Sequence, residues 1–158
     1  MSMARDDVSR SGEETLGTVI RRRAELRHTI VEVEQALARP APGRLEEWAA
    51  EVREGLAHLA ADLEAHVDVT QAEAGLHDEI LVAAPRLANG VERLRREHLE
   101  IRETLGAARD LLGAPEEGDW PTHVRDLVTS LLTRLIRHRQ RGADLIYEAY
   151  QVDVGGET

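Results

Sequence analysis

Cysteine is absent from this chain of 158 residues. That excludes disulfides, thiolate catalysis and cysteine-bound zinc. Phenylalanine is absent too, and tryptophan and tyrosine occur only twice each, so a core has to be built from Leu, Ile, Val and Ala. The β-branched runs that build sheets are missing. No apolar stretch approaches the ~20 residues needed to cross a bilayer. There is no surplus of positive charge either. The formal net charge is −10, the wrong sign for a surface that grips nucleic-acid phosphates or anionic lipid. Residues 1–14 hold no apolar run of the kind found in a secretory leader, so the expected setting is cytoplasmic.

What is present favours helices. About 42% of the chain is apolar, enough to drive folding, and Leu, Ala, Glu and Arg dominate. A first helix is expected from about Glu14 to Ala38, stopped by the Pro40, Pro42 and Gly43 cluster. A second, from about Arg44 to Thr70, carries Leu45, Trp48, Val52, Leu56, Leu59 and Leu63 at spacings of three and four. Gly75 weakens any continuation, leaving 72–79 as a break or a short extra turn. A third helix spans about Pro85–Leu112, with Leu87, Val91, Leu94, Ile101 and Leu105 on one stripe. After a Gly/Pro-rich loop, Asp119 or Thr122 is placed to cap a fourth helix, with Pro121 in its first turn. Short connections favour antiparallel neighbours. The expected fold is all-α: an antiparallel up-down-up-down four-helix bundle over residues 15–150, with an N-terminal arm (1–14) and a C-terminal tail (151–158).

Histidine is the residue type that carries chemistry here. His66, His98 and His138 lie on the apolar stripes of the second, third and fourth helices, so each points inward if its helix packs by that stripe. His28 falls off the Leu26, Ile30, Val33 and Leu37 stripe of the first helix, at the edge of its wider apolar arc. A lone histidine on an apolar face is more often an ordinary core residue than a ligand. Several on separate helices are another matter, because neutral imidazole is a common metal ligand and bundles build metal sites from facing helices. His58 lies opposite its stripe and reads as solvated, His77 sits in the weak region after Gly75, and His123 reads as exposed. Arg21, Arg22 and Arg23 form a short basic run that reads as a solvated face paired with Glu13, Glu14 and Glu25. No Ser-His-Asp or Gly-rich phosphate pattern stands out, so no catalytic residue is assigned.

Four local motifs, in this order, carry a likeness. They are Leu26, Arg27 and His28; Leu63 to His66; Glu97 to Ile101 around His98; and Leu135 to His138. Over residues 16–150 the chain resembles the hemerythrin-like (HHE cation-binding) family, whose plan is one histidine per helix. The resemblance implies iron as cofactor, metal ligands at His28, His66, His98 and His138, and a role in handling or sensing dioxygen, nitric oxide or iron.

The departures from that plan are specific. The family's bridging carboxylates follow the helix-two and helix-four histidines by four or five residues. Thr70 and Gln71, and Gly142 and Ala143, occupy those positions here. Arg102 stands where some members carry a further histidine. Two irons need anionic bridges, so a mononuclear site is the better expectation, suited to iron or zinc, with Glu32 or Glu73 as substitute carboxylates. Asp144 points away from His138. Gly142, one turn beyond His138, either leaves a small cavity, makes room for Arg102, or lets two helices pack closely. The expected partners are a metal ion and a small diatomic ligand, with a homodimer left open. The alternative is a metal-free bundle that acts as a binding or scaffolding module.

Overall fold

A computed structural model describes the backbone of residues 2–71 and 75–152 and the side chains of residues 13–71 and 75–150. Its regular structure, among the described residues, is entirely helical: α1 (Ser2–Ala38), α2 (Leu45–Gln71), α3 (Leu76–Ala83), α4 (Ala88–Leu112) and α5 (Trp120–Tyr147). The long helices α1, α2, α4 and α5 form a four-helix bundle. The short α3, followed by a 3-10 turn at Pro85–Leu87, occupies the region after Gly75. α1 takes in the polar segment that the hydrophobic pattern left outside the first helix. Asp119 is the N-cap of α5, but its side chain makes no capping bond; Pro121 sits in the first turn as expected.

Side-chain pairings give the direction of each helix relative to its neighbour. Thr29 bonds Asp62, Glu32 meets His58 and Arg39 meets Glu51, so α2 runs back along α1. Glu64 with Arg102, and Arg53 with the Leu112 carbonyl, reverse α4 against α2. Glu97 with Arg141, and the Trp120 indole N–H donating to the Leu111 carbonyl, do the same for α5 on α4. Arg23 with the Arg139 carbonyl, and Arg125 with the Leu37 carbonyl, bring α5 back beside α1.

The loops close where their residues demand it. Gly43 (φ 76°) and Gly118 (φ 82°) both adopt the left-handed region, where a Cβ would be strained. At that end of the bundle Trp48 and Trp120 pack edge to face, with centroids 6.1 Å apart. The Arg125 guanidinium lies 4.9 Å above the Trp48 ring. Arg125 also donates to the carbonyls of Leu37 and Arg39, satisfying acceptors that the end of α1 leaves without helix partners.

The core is divided in two. The larger apolar cluster holds Leu26, Leu59, Leu63, Ile101, Leu131 and Leu135 together with both tryptophans. The smaller holds Val19, Ile80, Leu87, Val91, Leu94 and Leu145. Each long helix passes from one cluster to the other, and on three of them a histidine marks the crossing. His66 follows Leu63, His98 lies between Leu94 and Ile101, and His138 lies between Leu135 and Leu145. On α1, between Val19 and Leu26, the stripe position belongs to Arg23. A polar layer therefore crosses the bundle between its two apolar clusters. Among the described residues no helix is long and apolar enough to cross a membrane.

Trp48 is fully buried. Trp48→Ala should destabilise the chain by about 3–5 kcal/mol, read from urea unfolding. A loss below ~1 kcal/mol would mean that this end of the core is not packed as described.

A candidate metal centre

The three stripe histidines meet. His66, His98 and His138 are all buried, and one ring nitrogen from each lies within 4.8 Å of the others. Nε2 of His98 and Nε2 of His138 are 2.6 Å apart, a hydrogen-bonded contact. The His66 ring stands nearly perpendicular to both others, its centroid 5.5 Å from that of His98 and 6.2 Å from that of His138. Its Nδ1 is buried without any hydrogen-bond partner. An unsatisfied buried polar atom is costly, by about 1–3 kcal/mol, so this nitrogen calls for a partner.

Flanking groups fix the proton positions. Glu97, on the turn that carries His98, accepts a 2.9 Å hydrogen bond from His138 Nδ1 and is itself held by Arg141 at 2.7 Å and Arg93 at 3.3 Å. A proton held on Nδ1 leaves His138 Nε2 bare. Gln71 presents its amide nitrogen to His98 Nδ1, so that nitrogen accepts and His98 Nε2–H donates to His138. Turning the Gln71 amide over would offer Oε1 instead, hold the proton on His98 Nδ1, and free both Nε2 lone pairs together.

The rings are neutral at ordinary pH. Burial pushes His66 down to about 3 and His98 down to about 2, and the repulsion that protonating His138 as well would bring lowers each further. Burial also lowers His138, against the opposing pull of its Glu97 hydrogen bond. Neutral imidazole is the form that binds metal. Beside His66 and His138 lies a small cavity of about 20 Å³, room for one water-sized group, lined also by Thr70, Arg23 and Gly142. A Cβ at Gly142 would meet nothing within 4 Å, so its absence leaves space rather than allowing close helix packing. Arg102 does not fill that space; it pairs with Glu64 at the surface.

Three expectations from the sequence fail or move, and one falls outside the described residues. His28 is exposed and is not part of the cluster, because the inward position of α1 at this level is Arg23, five residues earlier. Glu32 is no ligand: it faces outward and pairs with exposed His58 at 2.8 Å, the contact that raises the His58 pKa. Glu73 lies outside the described residues. Arg23 does not belong to a solvated run: Arg22 pairs with Glu25 and Arg21 donates to Thr18, while Arg23 turns to the Arg139 carbonyl. Asp144 is bonded to Gln140, away from the histidines as expected.

Sequence reasoning missed Glu97 and Gln71 as histidine partners. It also missed His77, which is buried on α3, accepts from Arg95 Nε at 3.4 Å, and is lowered to about 4 by burial. The stripe on α1 read backward from Leu26 would have reached Arg23.

Among the described residues the cluster offers three neutral nitrogens, enough for one metal ion, and no carboxylate to bridge a second; Glu97 is hydrogen-bonded to His138. Metal–nitrogen bonds of about 2.0–2.1 Å at tetrahedral angles put ligand nitrogens roughly 3.3 Å apart. His98 and His138 would separate by less than ~1 Å to admit an ion. No protein-family model, no curated protein and no solved structure matches the chain.

The lowered histidines set a pH dependence for the metal-free protein. Their folded pKa values lie below the ordinary 6.5, so the unfolded chain takes up protons that the folded chain refuses. Stability is complete above about pH 6.5 and falls as the pH drops toward 4, by on the order of 1.4 kcal/mol per pH unit for each buried ring. Urea midpoints at pH 7, 6 and 5 should decline, and less steeply in His66→Leu or His77→Leu. A flat profile would contradict the burial of neutral rings.

Proposed function

We propose that this chain is a divergent hemerythrin-like bundle that holds one divalent transition-metal ion on His66, His98 and His138. The observation that carries the reading is the convergence of three buried neutral imidazoles, one of them with a ring nitrogen that has no protein partner. The histidine–carboxylate pair Glu97–His138 supports it, since such pairs orient ligand rings and raise their basicity. The small cavity supplies a fourth position of the size of dioxygen or nitric oxide. Iron is the ion the family plan implies, and zinc accepts the same donors. A bound ion would supply Lewis acidity and a fixed point for the small ligand.

One observation favours a second reading, a metal-free bundle used as a binding module. The chain Gln71–His98–His138–Glu97–Arg141 is a closed set of hydrogen bonds that needs no ion. His66 stands outside it, with its Nδ1 buried and unpartnered.

Calorimetric titration of chelator-stripped, untagged protein with Zn2+ and, without oxygen, Fe2+ separates the two. One ion per chain should bind. His98→Ala and His138→Ala should abolish tight binding, Glu97→Gln should weaken it by about 10–100-fold, and His28→Ala should leave it unchanged. Failure of both metals to bind would remove the metal reading and leave the second. Gly142→Ala should stabilise the bundle by up to about 1 kcal/mol through helix propensity and weaken nitric oxide uptake by iron-loaded protein. Unaltered uptake would mean the ligand position is not the Gly142 cavity.

A further inference from the structure

The basic run of α1 ends in an unanswered cluster of charge. Arg23 and Arg27 stand one turn apart on α1, Arg139 lies opposite on α5, and together they line a groove of about 480 Å³. None of the three has an ion pair among the described residues, although the chain carries 30 acidic side chains. Many other arginines are matched, among them Arg22, Arg39, Arg44, Arg93, Arg95, Arg102 and Arg141. Arg23 is committed only to the Arg139 backbone carbonyl. Nε of Arg139 is buried and has no hydrogen-bond partner at all. Burial and the charges of Arg23 and Arg27 both lower the Arg139 pKa, the mark of cations pressed together without a counter-charge.

We infer that this α1–α5 groove is a binding site for a small organic oxyanion, a carboxylate or phosphate group carried on a short apolar body. Guanidinium forks match the planar or tetrahedral oxygens of such groups in paired hydrogen bonds. Three of them around one partly desolvated groove would offset their mutual repulsion by taking an anion. The volume falls in the range of small-molecule sites, about 300–1,000 Å³. The floor is apolar: Ile20 and Val31 are 57% and 41% exposed there, with Ala24 between them. An inorganic ion would leave that floor uncovered, whereas a short hydrocarbon tail would cover it. Arg23 and Arg139 also line the cavity beside His66 and His138, so they form a shared wall between the groove and the histidine layer. The inference does not depend on a metal.

The test is calorimetric titration at low ionic strength with hexanoate and with inorganic phosphate. The protein is metal-stripped and dialysed free of chelator, so failure of the metal reading would leave the result intact. Hexanoate should bind saturably, one per chain, and more tightly than phosphate. Arg27→Gln and Arg139→Gln should each weaken binding at least tenfold, while Arg21→Gln, on the same helix but outside the groove, should not. Because Arg27 is exposed, its variant should fold. Without ligand its melting temperature should be equal to or above that of the parent chain, since a like charge has been removed, and added hexanoate should no longer raise it. Hexanoate binding that is lost in Arg27→Gln supports the site, and phosphate bound more tightly than hexanoate overturns the apolar-body part of the inference. No saturable binding of either probe, or equal binding by Arg27→Gln, overturns it.

Discussion

Three imidazoles buried at the boundary of two apolar clusters are the constraint on which the structure turns. An apolar bundle would be simpler to build with leucine at positions 66, 98 and 138. Histidine there brings six ring nitrogens into a space with little water, and each needs a partner. The flanking residues are arranged around that need: Glu97 holds one ring, Gln71 another, and the rings hold each other. His66 takes part in none of these bonds, and at its buried Nδ1 the protein's own groups stop short.

Charge gives the layer its chemical character. Among the described residues the donor set is neutral, its nearest carboxylate acts through His138, and α1 contributes the Arg23 guanidinium. A divalent ion held there would keep its full charge and attract an anionic or polarisable fourth ligand. A di-iron centre would need anionic bridges, and the positions that would supply them hold Thr70, Gln71, Gly142 and Ala143. Gly142 also shapes the small space beside His66 and His138, because it contributes no side chain to it.

The four long helices and three of the site residues were legible in the sequence because both depend on the same signal, a stripe with a period near 3.6. His66, His98 and His138 interrupt that stripe in register, so burial followed from position. His28 never lay on the stripe; its place at the edge of a wider apolar arc argued for it, with the family order added, and the stripe itself was the better guide. Arg23 does lie on the stripe, at the step between Val19 and Leu26, but a cation inside a basic run reads as solvent-facing. Glu97 and Gln71 were hidden for another reason: their roles depend on which neighbouring helix they reach across to, which spacing within one helix does not encode. His77 was missed because α3 is too short to display a period.

The most direct test of the shared centre is X-ray absorption on the zinc-loaded chain. The account predicts a single metal environment with three imidazole nitrogens and one further light atom at about 2.0–2.1 Å, reduced by one imidazole in His66→Ala. Zinc coordinated chiefly by carboxylate oxygens, or an imidazole count unchanged by His66→Ala, would contradict it.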